Sequence, residues 1–472
     1  MVKRSLGTLL TAAAILATAG LSYAGTAASS GTASLDNATP VDTNPLLMYG
    51  LDKIPAGKQS VGQDISNAGF DIYGYIEVGY TANLSGQNHP IPGRVFDTEG
   101  GNHIQMDQLD LAVSRSINLS DPGFRKAGWM IGGKAEMLYG YDAGYIHSNG
   151  LNFYHGYTNN TNAQANGSPY PLYQFDPEQL YVSFGIPIGK ESGLKIRAGK
   201  FVTLLGEETI NPTTNYFYSH TYEFGDAIPF TNTGIMADYM VNSQWSFWAG
   251  ITRPWNQSLR SQINGWNFMG EIDYTPASNM SLVVNYIFGP NDQAYDTDSS
   301  STDLDGGVFG DNQHDRSVLD IIGTYTPPIL NNNLTLVANL DWGYDAGGPL
   351  LVAGPDDGIP GGVNGQSSAA NWYAGAFYQS YVINSYLTFN TREEIYYDDG
   401  NMTAGAALLA PAGGSTVLGD LTAGVTITPM PNSNLGKHLE FRPELREDLC
   451  DHPYFNGKHY QTTLGMDAIY QF

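Results

Sequence analysis

Charged side chains recur at alternate positions in several strand-like segments of the sequence. Lys134 and Glu136 do so in "GWMIGGKAEMLYG", and Arg442, Glu444 and Arg446 do so in "FRPELRED". Successive side chains of a strand point to opposite faces, so each set shares one face. Charges arranged in this way can line a water-filled space and select among ions. The charged residues predicted on such faces are Lys134, Glu136, Arg197, Glu271, Asp273, Asp320, Arg392, Arg442, Glu444 and Arg446.

Residues that could form a catalytic or metal-binding set are scattered. None of the nine histidines has a partner at metal-ligand spacing. Cys450 is the single cysteine, and although His452 is close in sequence, no wider constellation indicates an activated thiol. The chain has 46 acidic and 21 basic residues, a balance that argues against nucleic acid as a partner. We therefore expect no enzyme activity, no cofactor, no metal and no nucleic-acid partner.

The elements that must position the charged residues are strands. From Gly69 onward, apolar and polar residues alternate with a period of two in about 16 segments of roughly 8 to 12 residues, the length at which a tilted strand crosses a bilayer. Short turns such as "TPASNMS" alternate with long polar connections. The long connections include 140–177, 203–232, 290–315 and 345–370. This pattern predicts an all-β fold, a transmembrane up-and-down antiparallel β-barrel of about 16 strands.

The C-terminal segment "TTLGMDAIYQF" carries apolar residues at alternate positions from Leu464 to Phe472. As the last strand of a barrel it would face lipid with these side chains and pair with the first strand, which leaves no open edge. The segment also resembles the C-terminal signal by which outer-membrane barrels are recognised for assembly. We expect Gly465, Tyr470 and Phe472 to form that signal and the barrel assembly machinery to be a partner.

Five tryptophans occur at or near strand ends or at lipid-side positions of these segments. Such positions are typical of the aromatic girdles at membrane interfaces. The tryptophans are Trp129, Trp245, Trp266, Trp342 and Trp372.

The N-terminus has the pattern of a secretory signal, with a positive start, an apolar run and small residues before a cleavage site after Ala24 or Ala27. A retained membrane anchor would need about 20 apolar residues, and this run is shorter. The next segment is rich in Ser, Ala, Thr and Gly. The predicted organisation is a signal peptide over 1–24, a periplasmic linker over 25–68, and an outer-membrane β-barrel with long extracellular loops over 69–472.

Two longer motifs carry a family resemblance. In "LKIRAGKFVTLLGEETINPTTNYFYSHTYEF", a Gly-Lys strand end leads into a Gly-Glu turn, an Asn-rich segment and a Tyr-Ser pair. In "FRPELREDLCDHPYF", an Arg-x-Glu-x-Arg-x-Asp strand is followed by Cys450. This combination resembles the β-barrel porin-2 family, the OmpL-like porins, although the family often has Ser where Cys450 stands. The residues that carry the resemblance are Gly199, Lys200, Gly206, Glu207, Asn211, Asn215, Tyr218, Ser219, Arg442, Glu444, Arg446 and Asp448.

The connection 203–232 is the third of the long ones on its side. By resemblance to general porins, we expect it to fold into the lumen. Its acidic residues are Glu207, Glu208, Glu223 and Asp226. We expect the first two to oppose an arginine cluster formed by Arg392, Arg442 and Arg446, which would create a transverse field that orients dipolar solutes and filters ions. The alternative is that these acids form only a solvated loop surface.

The resemblance and the barrel pattern together imply an outer-membrane porin for passive diffusion of small hydrophilic solutes and ions, with both termini in the periplasm. The expected partners are outer-membrane lipids, such solutes and the assembly machinery, and the sequence leaves open whether three barrels associate into a homotrimer. Negative net charge favours cations, but the arginines leave the sign of the preference open. The alternative functions are a receptor or adhesin that acts through long loops, and a lipid-directed barrel enzyme.

Overall fold

The computed structural model describes residues 46–56, 59–85, 91, 93–96, 101–148, 150–151, 173–259, 265–295, 309–346, 369–399, 403 and 414–472. Within these ranges the chain forms a closed antiparallel barrel of sixteen strands, in which each strand pairs with the next in sequence and the last pairs with the first. The predicted fold class is confirmed. The predicted signal peptide and the linker residues 25–45 lie outside the described residues.

The barrel strands are β1 (Asp71–Asn83), β2 (Ile104–Arg115), β3 (Met130–Gly140), β4 (Gln174–Ile188), β5 (Ser192–Val202), β6 (Thr231–Met240), β7 (Trp245–Thr252), β8 (Asn267–Ala277), β9 (Met280–Tyr295), β10 (Phe309–Tyr325), β11 (Leu334–Asp345), β12 (Ala370–Asn384), β13 (Leu387–Asp399), β14 (Ser415–Ile427), β15 (Leu439–Cys450) and β16 (Tyr460–Gln471).

Helical elements are short and lie in the N-terminal segment and in connections. The helices are α1 (Leu46–Leu51), α2 (Val61–Asn67) and α3 (Pro122–Ala127), and single helical turns occupy Asp142–Gly144, Pro212–Thr214, Glu223–Ala227, Pro328–Leu330 and Gly436–His438. A two-residue hairpin, Pro55–Ala56 with Gln59–Ser60, precedes α2. Within the described ranges, no helix has the length and apolar character needed to cross a membrane.

Many strands place charged residues inside the barrel and expose apolar residues on its outer face. On β15, Leu445 is 51% exposed, whereas its neighbours Glu444 and Arg446 are 3% and 0% exposed. This distribution reverses that of a water-soluble protein, in which charged residues are almost never fully buried unless they are paired. An apolar outer face of this kind is the surface that lipid requires.

Strand β16 closes the barrel, as the sequence predicted. Its register with β1 runs to Gln471 opposite Tyr75. Beyond that pair, the N–H of Phe472 donates to the carbonyl of Gly74 at 2.8 Å, and the N–H of Gly74 donates back at 2.9 Å. The alternating residues Leu464 and Met466 are exposed on the outer face. No strand edge is left open at this seam.

The connections alternate in length around the barrel. Those after odd-numbered strands emerge at one end, here called the long-loop end, and those after even-numbered strands emerge at the other, the short-turn end. Much of the predicted long connections 140–177, 290–315 and 345–370 lies outside the described residues. The prediction for 290–315 was too wide, because β9 and β10 continue as a hairpin until Tyr295 pairs with Phe309. Their polar sequence hides this extension, since it lacks the apolar alternation by which the strands were predicted.

Candidate functional site

Residues 203–230, which join β5 to β6, fold into the barrel, and we call them the lumenal loop. The guanidinium of Arg392 donates to the carbonyl of Ser219 at 2.6 Å, and the amide of Asn390 donates to the carbonyl of Tyr216 at 3.1 Å. Both donors lie on β13, which stands across the ring of strands from β5 and β6. The lumenal loop therefore spans the whole lumen.

Two glutamates of the wall hold the backbone of the lumenal loop. Glu444 accepts hydrogen bonds from the N–H groups of Tyr218 and Ser219, at 3.0 and 3.2 Å. Glu394 accepts from the two N–H groups of residues 222–223, at 3.0 and 2.7 Å. Bonds from backbone N–H groups to carboxylates are stronger than bonds between neutral groups. The predicted wall residue Glu444 is thus an anchor of the loop.

Tyr218 fits against the wall because two glycines make room for it. A β-carbon added at Gly79 would lie 2.0 Å from the Tyr218 hydroxyl, and one added at Gly465 would lie 3.2 Å from its ring. The hydroxyl donates to Asp107 on β2 at 3.2 Å. Gly465, which is predicted to belong to the assembly signal, packs against Tyr218 inside the barrel.

An apolar cluster fills the space between the lumenal loop and the wall towards the long-loop end. The ring of Phe96 lies 5.2 Å from that of Phe224 and 5.5 Å from that of Phe230, measured between ring centroids. Ile210 and Ile228 are buried in the same cluster. The loop thus has a hydrophobic core of its own, and this core fixes its position in the lumen.

Trp372 also belongs to this cluster, and its predicted place in an interfacial girdle is wrong. Its side chain is fully buried, and the indole N–H donates to the carbonyl of Ala227 at 3.3 Å. Opposite it, a β-carbon at Gly343 would lie 1.7 Å from the indole ring. The missing side chain at Gly343 lets the indole lie flat inside the barrel. Trp129, Trp266 and Trp342 are exposed.

Arg392 and Arg446 share a network of carboxylates on the inner wall. Arg392 pairs with Glu208 of the loop at 2.8 Å and with Asp420 at 3.1 Å. Arg446 pairs with Asp448 at 2.7 Å and with Asp420 at 3.5 Å. Glu208 thus pairs with Arg392, as the sequence predicted for an arginine of this cluster. Carboxylates of the strands neutralise much of the arginine charge.

Arg442 also pairs with two carboxylates of the inner wall. It pairs with Asp467 on the neighbouring strand and with Glu77 at 3.2 Å, and it donates to the carbonyl of Pro212 at 2.7 Å. Arg446 likewise donates to a carbonyl of the lumenal loop. The arginines therefore bind the loop backbone as well as balancing wall carboxylates.

The other predicted basic residues lie on the inner wall at β3 and β5. Lys134 pairs with Glu136 at 2.7 Å. The guanidinium of Arg197 lies over the rings of Tyr181 and Trp248, 4.5 and 4.9 Å from their centroids. Aromatic faces attract such a cation through their quadrupole. These side chains lie on β3 and β5, whereas the arginine network lies on β13 and β15.

The remaining loop acids lack cationic partners. Among the described residues, no Lys, Arg or His forms an ion pair with Glu207 or Glu223. Burial raises the pKa of Glu207 to about 8, and the neighbouring carboxylates of Glu208 and Asp320 add to the rise. Burial also raises the pKa values of Glu223 and Asp226 above the usual range. Glu207 therefore has the acids Glu208 and Asp320 as charged neighbours, whereas Glu208 pairs with Arg392.

Sequence reasoning missed several carboxylates that complete the site. Each lies at an inward position of a strand, so the period of two could have found them. Their partners come from other strands and could not be read from spacing. The missed residues are Asp341, Glu394, Asp420 and Asp467, whereas Asp448 was named only as part of the family motif. Within the described part of the chain, no three His, Cys, Asp or Glu side chains converge as ligands for a metal ion.

Several solved structures are similar to this chain, although their sequences differ from it. No curated protein matches the chain in sequence. OmpF of Salmonella typhi, solved in complex with daunomycin, is similar in structure with a TM-score of 0.51 and 13% identity, over 86% of this chain and 99% of that one. The anion-selective porin from Comamonas acidovorans has a TM-score of 0.49 and 9% identity, over 85% and 99% of the two chains. The channel DcaP of Acinetobacter baumannii has a TM-score of 0.48 and 13% identity, over 85% and 97%.

A family model also matches the sequence of the chain. The model described as "Putative beta-barrel porin-2, OmpL-like" matches residues 69–472, from just before β1 to the last residue. Because this match covers the entire barrel and the lumenal loop, the chain belongs to the OmpL-like β-barrel porin-2 family and is an outer-membrane porin.

Proposed function

We propose that the barrel is a passive, non-enzymatic diffusion channel for small hydrophilic solutes and ions, and that the lumenal loop narrows it. The observation that carries this proposal is the attachment of the loop to opposite walls through charged side chains. A sixteen-stranded barrel leaves an aqueous channel when its interior is not filled. Here the loop takes part of that interior, and charged side chains of the inner wall hold it there.

The size limit of permeating solutes tests this function. The purified, mature protein is reconstituted into liposomes, and swelling is recorded with uncharged sugars of increasing size. We expect fast swelling with the smallest sugars and a steep decline as size increases, because the loop narrows the lumen. Liposomes that contain folded barrels but swell no faster than protein-free liposomes would contradict the proposal.

The orientation and assembly of the barrel are further parts of the proposal. We place the long-loop end outside the cell and both termini in the periplasm, after removal of residues 1–24, with 25–68 as linker and 69–472 as barrel. We also propose a homotrimer, since an apolar outer face can bury against a second copy as well as against lipid. Protease accessibility of intact cells tests the orientation, and the mass of the detergent-solubilised protein separates one barrel from three.

We propose that Gly465, Tyr470 and Phe472 act in assembly through the seam between β16 and β1. Deletion of Phe472 removes the two backbone hydrogen bonds to Gly74, worth about 1 kcal/mol each. We expect much less folded barrel in the outer membrane, measured by heat-modifiable mobility on gels. The control is Tyr460→Leu, which changes an exposed aromatic at the other end of the same strand. Equal yields of the deletion variant and the wild type would remove Phe472 from the signal.

The pKa of Glu207 predicts a change of ion preference with pH. Because that pKa is raised to about 8, the side chain is neutral at lower pH and negative at higher pH. The cation-to-anion permeability ratio should therefore rise as pH increases through 8. Glu207→Gln should remove a change of about fivefold, which corresponds to ~1 kcal/mol, the Coulomb energy of two charges 4 Å apart in water.

Reversal potentials in a salt gradient, recorded from pH 6 to pH 10, give this ratio. The control is Glu191→Gln, the same substitution in an exposed turn at the short-turn end. A wild-type profile without a step near pH 8, or a step that persists in Glu207→Gln, would contradict the assignment.

A further inference from the structure

An apolar groove lies on the outside of the barrel at the short-turn end, between helix α2 and the first two strands. Its volume is about 400 Å³. Two of the residues that line it, Ile72 and Val113, are register partners on β1 and β2. Val113 is 38% exposed and belongs to the alternate positions of β2 that form the outer face. The groove therefore opens on the surface that faces lipid and not on the lumen.

Helix α2 presents an apolar face to this wall. Val61, Ile65 and Ala68 line the groove, and their spacing of four and three residues places them on one side of the helix. Ser60 caps the first turn of the helix. At the other end, the N–H of Phe70 donates to the carbonyl of Ile65 at 3.1 Å, which ties the helix to the start of β1. Local backbone bonds thus hold the helix beside the wall, so the groove is built into the fold.

The outer face of β2 has the polarity of a phospholipid. Arg115 ends the strand at the short-turn end, and Val113, Leu111 and Leu109 precede it at alternate positions towards the long-loop end. These three apolar side chains are exposed on the outer wall. An acyl chain that lies in the groove can therefore continue along an apolar surface, while its headgroup stays beside Arg115 at the rim. Arginine at such a rim keeps its charged head in the polar region of a membrane.

Two side chains of opposite charge flank the groove. Asp64 lines it from α2. The guanidinium of Arg115 lies 5.9 Å from the ring centroid of Phe70, which is another lining residue. Gly69 leaves the space for this arginine, because a β-carbon added there would lie 3.2 Å from its Nε atom. Among the residues that the structure describes, neither Asp64 nor Arg115 forms an ion pair.

We propose that the groove holds an acyl chain of a glycerophospholipid whose headgroup carries both a phosphate and an ammonium group, as in phosphatidylethanolamine. The guanidinium of Arg115 donates to the phosphate, an anion that arginine binds well. The carboxylate of Asp64 pairs with the ammonium group and disfavours a headgroup that carries negative charge alone. Such a lipid joins the N-terminal helix to the membrane. The inference depends on the place of the barrel in a membrane and not on the proposed channel function.

Native mass spectrometry of the mature protein, delipidated in detergent, tests this site. Phosphatidylethanolamine and phosphatidylglycerol are titrated separately into the wild type and the variants. We expect one phosphatidylethanolamine per barrel, bound about fivefold more tightly than phosphatidylglycerol, the upper range for an exposed ion pair. Arg115→Met should weaken both lipids about tenfold, the low end for a hydrogen bond to a charged group. Asp64→Asn should remove the preference. The control Lys126→Met, which changes an exposed cation at the same end of the barrel, should keep it.

A second variant fills the groove. Ala68→Phe adds an aromatic ring from α2, outside the barrel wall, and should abolish tight binding of the single lipid. Heat-modifiable mobility on gels shows that the barrel of each variant is folded. Ala68→Phe therefore decides the question if Arg115→Met does not fold, and undiminished binding by folded Ala68→Phe would overturn the proposal.

Three results with the other proteins would also overturn it. Equal affinities of the wild type, Arg115→Met and Asp64→Asn would show that the lipid only surrounds the barrel. A wild type that binds both lipids equally would remove Asp64 from the site. A wild type that binds neither lipid would show that protein covers the groove, and the mass of the complex would then show whether a second copy does so.

Discussion

Excision of the lumenal loop is expected to raise the single-channel conductance several-fold. In this variant a short Gly-Ser turn replaces residues 206–228. The loop crosses the lumen and carries its own apolar core. Its removal should therefore widen the water-filled channel that a sixteen-stranded barrel encloses. The wall remains intact, because strand carboxylates still pair with the arginines after the loop is gone. Conductance in planar bilayers and the size limit for sugars should increase together.

The matched control keeps the loop. Thr214→Ser changes the exposed residue of the lumenal loop and retains a hydroxyl that can bond to the Asn211 carbonyl. It should conduct like the wild type. If the excision variant inserts and folds but shows wild-type conductance and the same size limit, the loop is not the narrow part of the channel.

Arg392→Met is expected to lower the free energy of unfolding by about 3 kcal/mol, the magnitude seen when one partner of a buried ion pair is removed. Arg392 is fully buried and joins Glu208 of the loop to Asp420 of the wall. It also holds the Ser219 carbonyl. The substitution should leave both carboxylates under-compensated and release the loop. Urea unfolding in detergent measures the stability, and current fluctuations in the open channel report the loosened loop.

Arg115→Met is the control for this substitution. Arg115 lies at the short-turn end, half-buried over the ring of Phe70 at 5.9 Å, and forms no ion pair within the described residues. Its replacement should change stability by less than about 0.5 kcal/mol. Equal effects of the two substitutions would show that the Arg392 network contributes no specific stability.

The sequence was sufficient to predict the barrel because its wall follows a local rule. Alternation in "FRPELRED" assigns Arg442, Glu444 and Arg446 to one face without knowledge of any other strand, and the structure agrees. The C-terminal alternation predicted the closing strand for the same reason. Strand bounds were less predictable where the apolar alternation ends before the strand does, as in β9 and β10.

The arrangement within the lumen could not be predicted in the same way. Arg442 pairs with Asp467 because β15 and β16 share a register, and Glu208 meets Arg392 because a loop crosses the barrel. Both contacts depend on distances along the chain that no local pattern encodes. The side chain of Trp372 lies inside the barrel because Gly343, on the neighbouring strand, leaves space for its indole ring. The sequence shows which inward-facing residues are acidic or basic, but only the fold shows which of them form ion pairs.

The most direct test of the central claim is the current carried by the purified, mature wild-type protein in a planar bilayer. The account predicts discrete, ohmic current steps, each from the insertion of folded barrels, with a reversal potential in a KCl gradient that indicates cation preference above pH 8. Folded barrels that insert into the bilayer and pass no current would contradict it.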